Sequence, residues 1–155
     1  MEERDWVWEA WFALVVAHDQ VMAALDRKVQ AECGFGLGWL EVLYQLGSAS
    51  ARRLRMHELA AACHTSKSGL TRLVDRIEAG GLVRRTAIPG DRRSLFVVMT
   101  EEGRRALERG LPVVRSGLQE HVGRHVKTGE TGPLLDALRR IAAGGLAIDQ
   151  DACDG

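Results

Sequence analysis

The chain has 155 residues, 46% hydrophobic and 27% charged, long enough for one ordinary domain and short for two. That apolar fraction excludes a wholly disordered chain, and apolar runs such as Trp11 to Ala17 are far too short to cross a membrane as a helix. The formal net charge is zero, yet residues 52–105 hold twelve basic and six acidic residues between two acidic arms, so a local block can bind a polyanion.

The first element is a helix from about Arg4 to Cys33. Trp8, Trp11, Val15, Met22, Leu25 and Val29 recur in helical steps and form one seam, on which His18 also falls. Gly34, Gly36 and Gly38 break it. Trp39 to Leu46 follows as a short helix with Leu40, Leu43 and Leu46 on one side. Met56 to Cys63 is a second short helix that buries Leu59, Ala60 and Cys63. His64-Thr65-Ser66 is a turn in which Thr65 is the expected N-cap. The next helix runs from Ser66 to Ala79. It turns Leu70, Leu73, Val74 and Ile77 inward and Ser68, Thr71, Arg72, Asp75 and Arg76 outward. Gly80-Gly81 stops it.

The period then changes. Leu82 to Ile88 and Ser94 to Thr100 read as strands joined at Pro89-Gly90-Asp91. Thr100-Glu101-Glu102 opens a helix with Leu107, Leu111, Val114, Leu118 and Val122 on one side and a kink expected at Pro112. A last helix, Pro133 to Ala143, is expected to bury Leu134, Leu138 and Ile141, and residues 144–155 form a flexible tail.

Two short helices across a tight turn, followed by a basic hairpin, describe a mainly α fold with a small β-hairpin wing: a winged helix-turn-helix. The second helix of such a pair lies in the major groove of duplex DNA, where base edges show distinct donor and acceptor patterns. Its face offers Ser68, Thr71, Arg72 and Arg76 to bases. Ser66 and Lys67 sit at its N-terminus, where free amides and the helix dipole favour a phosphate. Arg92 and Arg93 at the hairpin tip reach an adjacent minor groove or the backbone, and Arg84 and Arg85 add phosphate contacts.

Residues 57 to 107, HELAAACHTSKSGLTRLVDRIEAGGLVRRTAIPGDRRSLFVVMTEEGRRAL, resemble the MarR family of bacterial transcription regulators. The hallmarks are an Asp-x-Arg wing, Asp91 and Arg93, and a strand ending in Thr100 before a helix start with Gly103. The resemblance implies one MarR-like domain over 1–155, with dimerisation helices at about 4–33 and 104–143 around a DNA-binding lobe at 39–103. It implies a homodimer on a pseudo-palindromic DNA operator, acting as a repressor. It places Ser66, Lys67, Ser68, Thr71 and Arg72 near bases and phosphates, makes Arg93 the wing arginine, and casts Asp91 as the residue that orients it. It also implies a small aromatic or anionic effector between the dimer helices and the lobe. Trp11, His18 and Trp39 are the residues expected to line that pocket, with core and interface packing as their plainer reading.

Other functions lack parts. His121 and His125 stand four apart, but no carboxylate or cysteine at fixed spacing joins them, so no metal is expected. The three cysteines, Cys33, Cys63 and Cys153, are too scattered for a disulfide framework, and none stands where the peroxide-sensing MarR branch carries its own. No phosphate-binding glycine loop or nucleophile elbow is present, so neither an enzyme nor a cofactor is expected. Met1-Glu2-Glu3-Arg4-Asp5 lacks the basic start of a secretion signal, and a cytoplasmic location follows as the expectation. The competing reading is a winged helix used for protein interaction without DNA, which predicts a neutral recognition helix and wing.

Overall fold

The computed structural model describes residues 5–88 and 90–151, except the side chains of residues 88, 91–94 and 145–151. Its helices are α1 (Asp5–Cys33), α2 (Leu37–Ser48), α3 (Met56–Ala62), α4 (Lys67–Ala79), α5 (Glu101–Leu118) and α6 (Thr131–Asp151). Its strands are β1 (Arg53–Arg55), β2 (Val83–Ile88) and β3 (Asp91–Met99), joined in an antiparallel sheet of order β1-β3-β2. The chain divides into two compact units, one ending at Leu118 and one beginning at Gln119.

The core of the first unit forms where α2, α3 and α4 meet the sheet. Leu43, Leu46, Leu59, Leu70, Val74, Ile77, Val83 and Val97 are all fully buried there. Leu70, Val74 and Ile77 are spaced four and three apart, so a single stripe of α4 is buried and the other side stays in water. The expected inward set of α3 and α4 is thus observed, except that Leu73 is only partly buried.

Both helix ends flanking α4 close by the same device. At the end of α4 the N–H of Leu82 donates to Ile77 O at 3.1 Å and that of Gly81 to Glu78 O at 2.9 Å, a Schellman closure with Gly81 at φ +74°. At the end of α3, Thr65 N–H donates to Ala60 O and His64 N–H to Ala61 O, with His64 at φ +47°. A side chain at left-handed φ costs roughly 1–2 kcal/mol, partly offset for glycine by its looser unfolded chain. His64→Gly is therefore expected to raise stability by about 0.5–1 kcal/mol in urea unfolding.

Four expectations are corrected. The N-cap of α4 is Ser66, not Thr65: Ser66 has extended backbone and its Oγ accepts from Gly69 N–H at 3.1 Å. β1 was not foreseen, because three residues carry no readable alternation. The seam of α5 is only partly covered within the chain, at Leu107 and Val114. Gly103, Ala106, Leu107, Gly110 and Gly117 are buried, whereas Leu111 and Leu118 remain 41% exposed. The glycines recur every seven residues, on one face, where β-carbons would collide with Leu82 and Met99, with Leu40 and with Leu25 respectively. Small residues let the neighbouring segments approach α5 there, and Leu111 and Leu118 are left outside.

The fourth correction concerns α6. Leu134, Leu138 and Ile141 are exposed rather than buried, and the helix runs on to Asp151 instead of ending at Ala143. Leu, Ala and Ile after the paired glycines restore helix propensity. Along α1 only Ala24, Leu25 and Val29 are buried. Trp6, Trp8, Trp11 and Phe12 stay more than half exposed, so the aromatic half of the seam is uncovered within one chain. α5 continues through Pro112, and a π-helical turn, Gln119–Gly123, follows its last residue.

Candidate nucleic-acid interface

The interface is built on the first turn of α4. Ser66 Oγ takes the Gly69 N–H and Ser66 O takes that of Leu70 at 2.9 Å, so the N–H groups of Lys67 and Ser68 are left pointing along the helix axis into solvent. With the positive end of the helix dipole, they favour an anion. Ser66, Lys67, Ser68, Thr71 and Arg72 line one open surface depression. All five are exposed, so the structure brings together five of the residues expected to meet DNA.

Their chemistry is more specific than the residue types indicate. Thr71 Oγ1 already donates to Lys67 O at 2.8 Å, so what it offers outward is an acceptor lone pair and a methyl group. These suit a base amino group and a thymine methyl. Arg72 has no ion pair among the described residues, and its guanidinium fork is available for a guanine edge. Arg76 is also exposed but sits about two and a half turns along, about 13 Å beyond Lys67 by helical rise. It lines a different hollow.

Arg84 and Arg85 part company. Successive strand residues face opposite ways. Arg84 is exposed on the outer side of the sheet, while Arg85 turns toward α4 and is only 19% exposed at its side chain. Its guanidinium lies 2.7 Å from Asp75 Oδ1 and 2.6 Å from Glu78 Oε2, and its backbone N–H donates to Glu78 Oε1 at 2.7 Å. The phosphate contact expected of Arg85 is therefore replaced by a tie between β2 and α4. Sequence pattern could not show this, because the partners meet only after the Schellman turn folds the strand back along α4.

The hairpin turns at Gly90, whose φ of +83° needs glycine, and β3 begins at once with Asp91 paired to Ile88. A register shift between Ala87 and Ile88 bends this end of the wing. Asp91, Arg92 and Arg93 thus follow the turn directly, and their side chains lie outside the described residues.

The structure does not bring Trp11, His18 and Trp39 together. Trp39 stacks on Phe35, with ring centroids 5.8 Å apart, and lines a cavity of about 450 Å³ with Asp26, Gln30, Leu73 and Arg76. Trp11 precedes Asp26 by four turns of the same helix, roughly 22 Å away along its axis. His18 is exposed beside Asp19, its Nδ1 3.2 Å from Oδ1. Residue type had grouped the three, and the length of α1 separates them.

Cys63 is buried, and desolvation together with the Glu41 carboxylate pushes its thiol up to about 11. Burial raises Cys33 as well. Neither thiol favours the reactive thiolate, and Cys153 lies outside the described residues. His121 stands in the π-helical turn and His125 beyond its end, so no single helix face presents the pair, and no metal-binding group of three occurs among the described residues. No described helix is long and apolar enough to cross a membrane.

Comparison with known proteins agrees with this architecture. A MarR-family model matches residues 34–94, the span from the start of α2 into the wing. The transcriptional regulator HosA of Escherichia coli O111:H- is 38% identical over 66 residues, 43% of this chain and 49% of its own length. The HTH-type transcriptional repressor YetL of Bacillus subtilis (strain 168) is 33% identical over 79 residues, 51% of this chain and 47% of its own. The chain thus spans about half the length of these curated relatives. The crystal structure of Sco3205, a MarR-family transcriptional regulator from Streptomyces coelicolor in complex with DNA, superposes with a TM-score of 0.80 and 30% identity, covering 87% of this chain and 84% of that one. A match of this identity over most of both chains, with the winged helix-turn-helix in place, puts this protein in the MarR family of transcriptional regulators.

Proposed function

We propose that this chain is a cytoplasmic, homodimeric, sequence-specific DNA-binding regulator, a repressor released by a small aromatic or anionic effector. The observation that carries the reading is the first turn of α4, where two free N–H groups, three hydroxyls, Lys67 and an unpaired Arg72 share one exposed surface. A surface for protein packing alone would have no use for that set of donors. Arg76, Arg84, Arg92 and Arg93 extend the contact to phosphates and the neighbouring minor groove, with Asp91 orienting Arg93. Self-association is supported by the bare aromatics of α1 and by Leu111, Leu118, Leu134, Leu138 and Ile141, more apolar surface than a lone chain carries. The flanking helices serve that pairing. For the effector, the cavity at Trp39 offers an aromatic wall with Arg76 beside it.

Selection of bound sites from random duplexes is the decisive experiment. A two-fold symmetric motif is expected, with half-sites one helical turn apart, about 34 Å. On that motif log affinity should fall linearly with log salt, by about 0.9 for each phosphate neutralised. No enriched motif and a flat salt response would instead favour the protein-interaction module.

A further inference from the structure

The outer face of the sheet carries Arg53, Arg55 and Phe96, side chains to which the proposed function assigns no role. Arg53 of β1 pairs with Val98 of β3, and Val98 pairs with Arg84 of β2. The next row is Arg55, Phe96 and Thr86. Strand alternation puts both rows on the side away from the core, since Val83, Val97 and Met99 on the other side are buried. The Arg53 guanidinium carbon lies 4.6 Å from the centroid of the Phe96 ring and that of Arg55 lies 5.9 Å from it. Two arginines thus flank one partly exposed ring, Arg84 stands in the neighbouring row, and neither row contains an acidic residue.

This arrangement has a chemical consequence. A cation–π contact holds a guanidinium by its face and leaves its N–H edges free. Arg53 and Arg55 have no ion pair among the described residues. The nearest carboxylate in sequence, Glu58, accepts the backbone N–H of Arg55 at 2.7 Å. The two guanidiniums are therefore oriented but not neutralised, at positions about 7 Å apart along the strand. Such a face fits a ligand with regularly spaced anionic oxygens. Arg55 also immediately precedes α3, the helix that in a helix-turn-helix crosses the DNA backbone.

We propose that Arg53 and Arg55, held on Phe96, form a second duplex-binding surface, which grips phosphates flanking the recognised site. It rests on the DNA-binding reading and adds a contact outside the recognition helix and wing tip. It reads no sequence, because it faces phosphate oxygens and not base edges. The fully formed footprint is then longer than the motif, and affinity depends on the length of DNA beyond it.

The test uses the full chain and two duplexes, one trimmed to the selected motif and one with ten or so added base pairs on each side. Wild type is expected to bind the longer duplex more tightly. The double variant Arg53→Ala/Arg55→Ala is expected to lose about tenfold on the longer duplex only, with a salt slope shallower by about 1.8. Phe96→Leu keeps an apolar strand residue but removes the ring. It is expected to give a smaller loss in the same direction, with an unchanged circular dichroism spectrum and melting temperature. Equal losses on both duplexes, or no loss on the longer one, overturn the proposal. An acidic protein partner for this face would leave both duplex affinities unchanged, which is one of those outcomes. Wild-type binding to the trimmed duplex keeps the two readings separate: if it persists while flank dependence is absent, only this proposal fails.

Discussion

Gly103→Ala is expected to destabilise the protein by roughly 3 kcal/mol, the upper end of what overpacking costs. Gly103 lies in the first turn of α5, and a β-carbon there would fall far inside contact distance of the Leu82 carbonyl and against Met99. Neither side can yield easily. Leu82 O accepts from Thr100 N–H at 3.1 Å, and Leu82 N–H is held by Ile77 O. Thr100 Oγ1 donates to Gly81 O at 2.8 Å and accepts from Gly103 N–H at 3.0 Å. The end of α4, the base of the wing and the start of α5 are thus pinned by a short web of hydrogen bonds, which the added methyl would pry apart. Urea unfolding gives the loss directly. Gly132→Ala, where nothing lies within 4 Å, is the control for a glycine change alone. A loss at Gly103 no larger than at Gly132 would show that the contact relaxes freely.

Arg72→Ala is expected to cost about 1–3 kcal/mol of affinity for the selected motif, roughly five- to 150-fold, and to relax preference at one base position. The magnitude follows from an exposed, unpaired guanidinium one turn from the helix N-terminus, where groove-reading helices meet base edges. The contrast with Arg85 is instructive. Asp75 and Glu78 occupy Arg85, whereas Arg72 has no ion pair among the described residues. Competition binding against motif variants checks the prediction. An equal loss on every sequence would make Arg72 a phosphate contact.

The parts of the fold written in strong periods were legible. Leu70, Val74 and Ile77 announced α4, and the β-branched run before Thr100 announced β3. What was not legible depends on the absence of side chains or on distance. The buried face of α5 is marked by Gly103, Gly110 and Gly117, which carry almost no hydropathy signal, so the leucines seemed to define it. Trp11, His18 and Trp39 share a chemical type but not a place. The tie from Arg85 to Asp75 and Glu78 joins residues ten and seven apart through a turn, and the pair of arginines at Phe96 needs a strand too short to foresee. In the candidate interface the residues themselves were readable. That Ser66 and Thr71 are partly spent on the helix backbone was not.

In the effector-released regulator proposed here, the Arg85 tie constrains how a signal could reach the DNA. With β2 and α4 clamped together, neither can be tilted alone without breaking two charge-assisted bonds. In the proposed homodimer, a regulatory molecule would therefore gain leverage over the separation of the two lobes, by preferring one spacing over another.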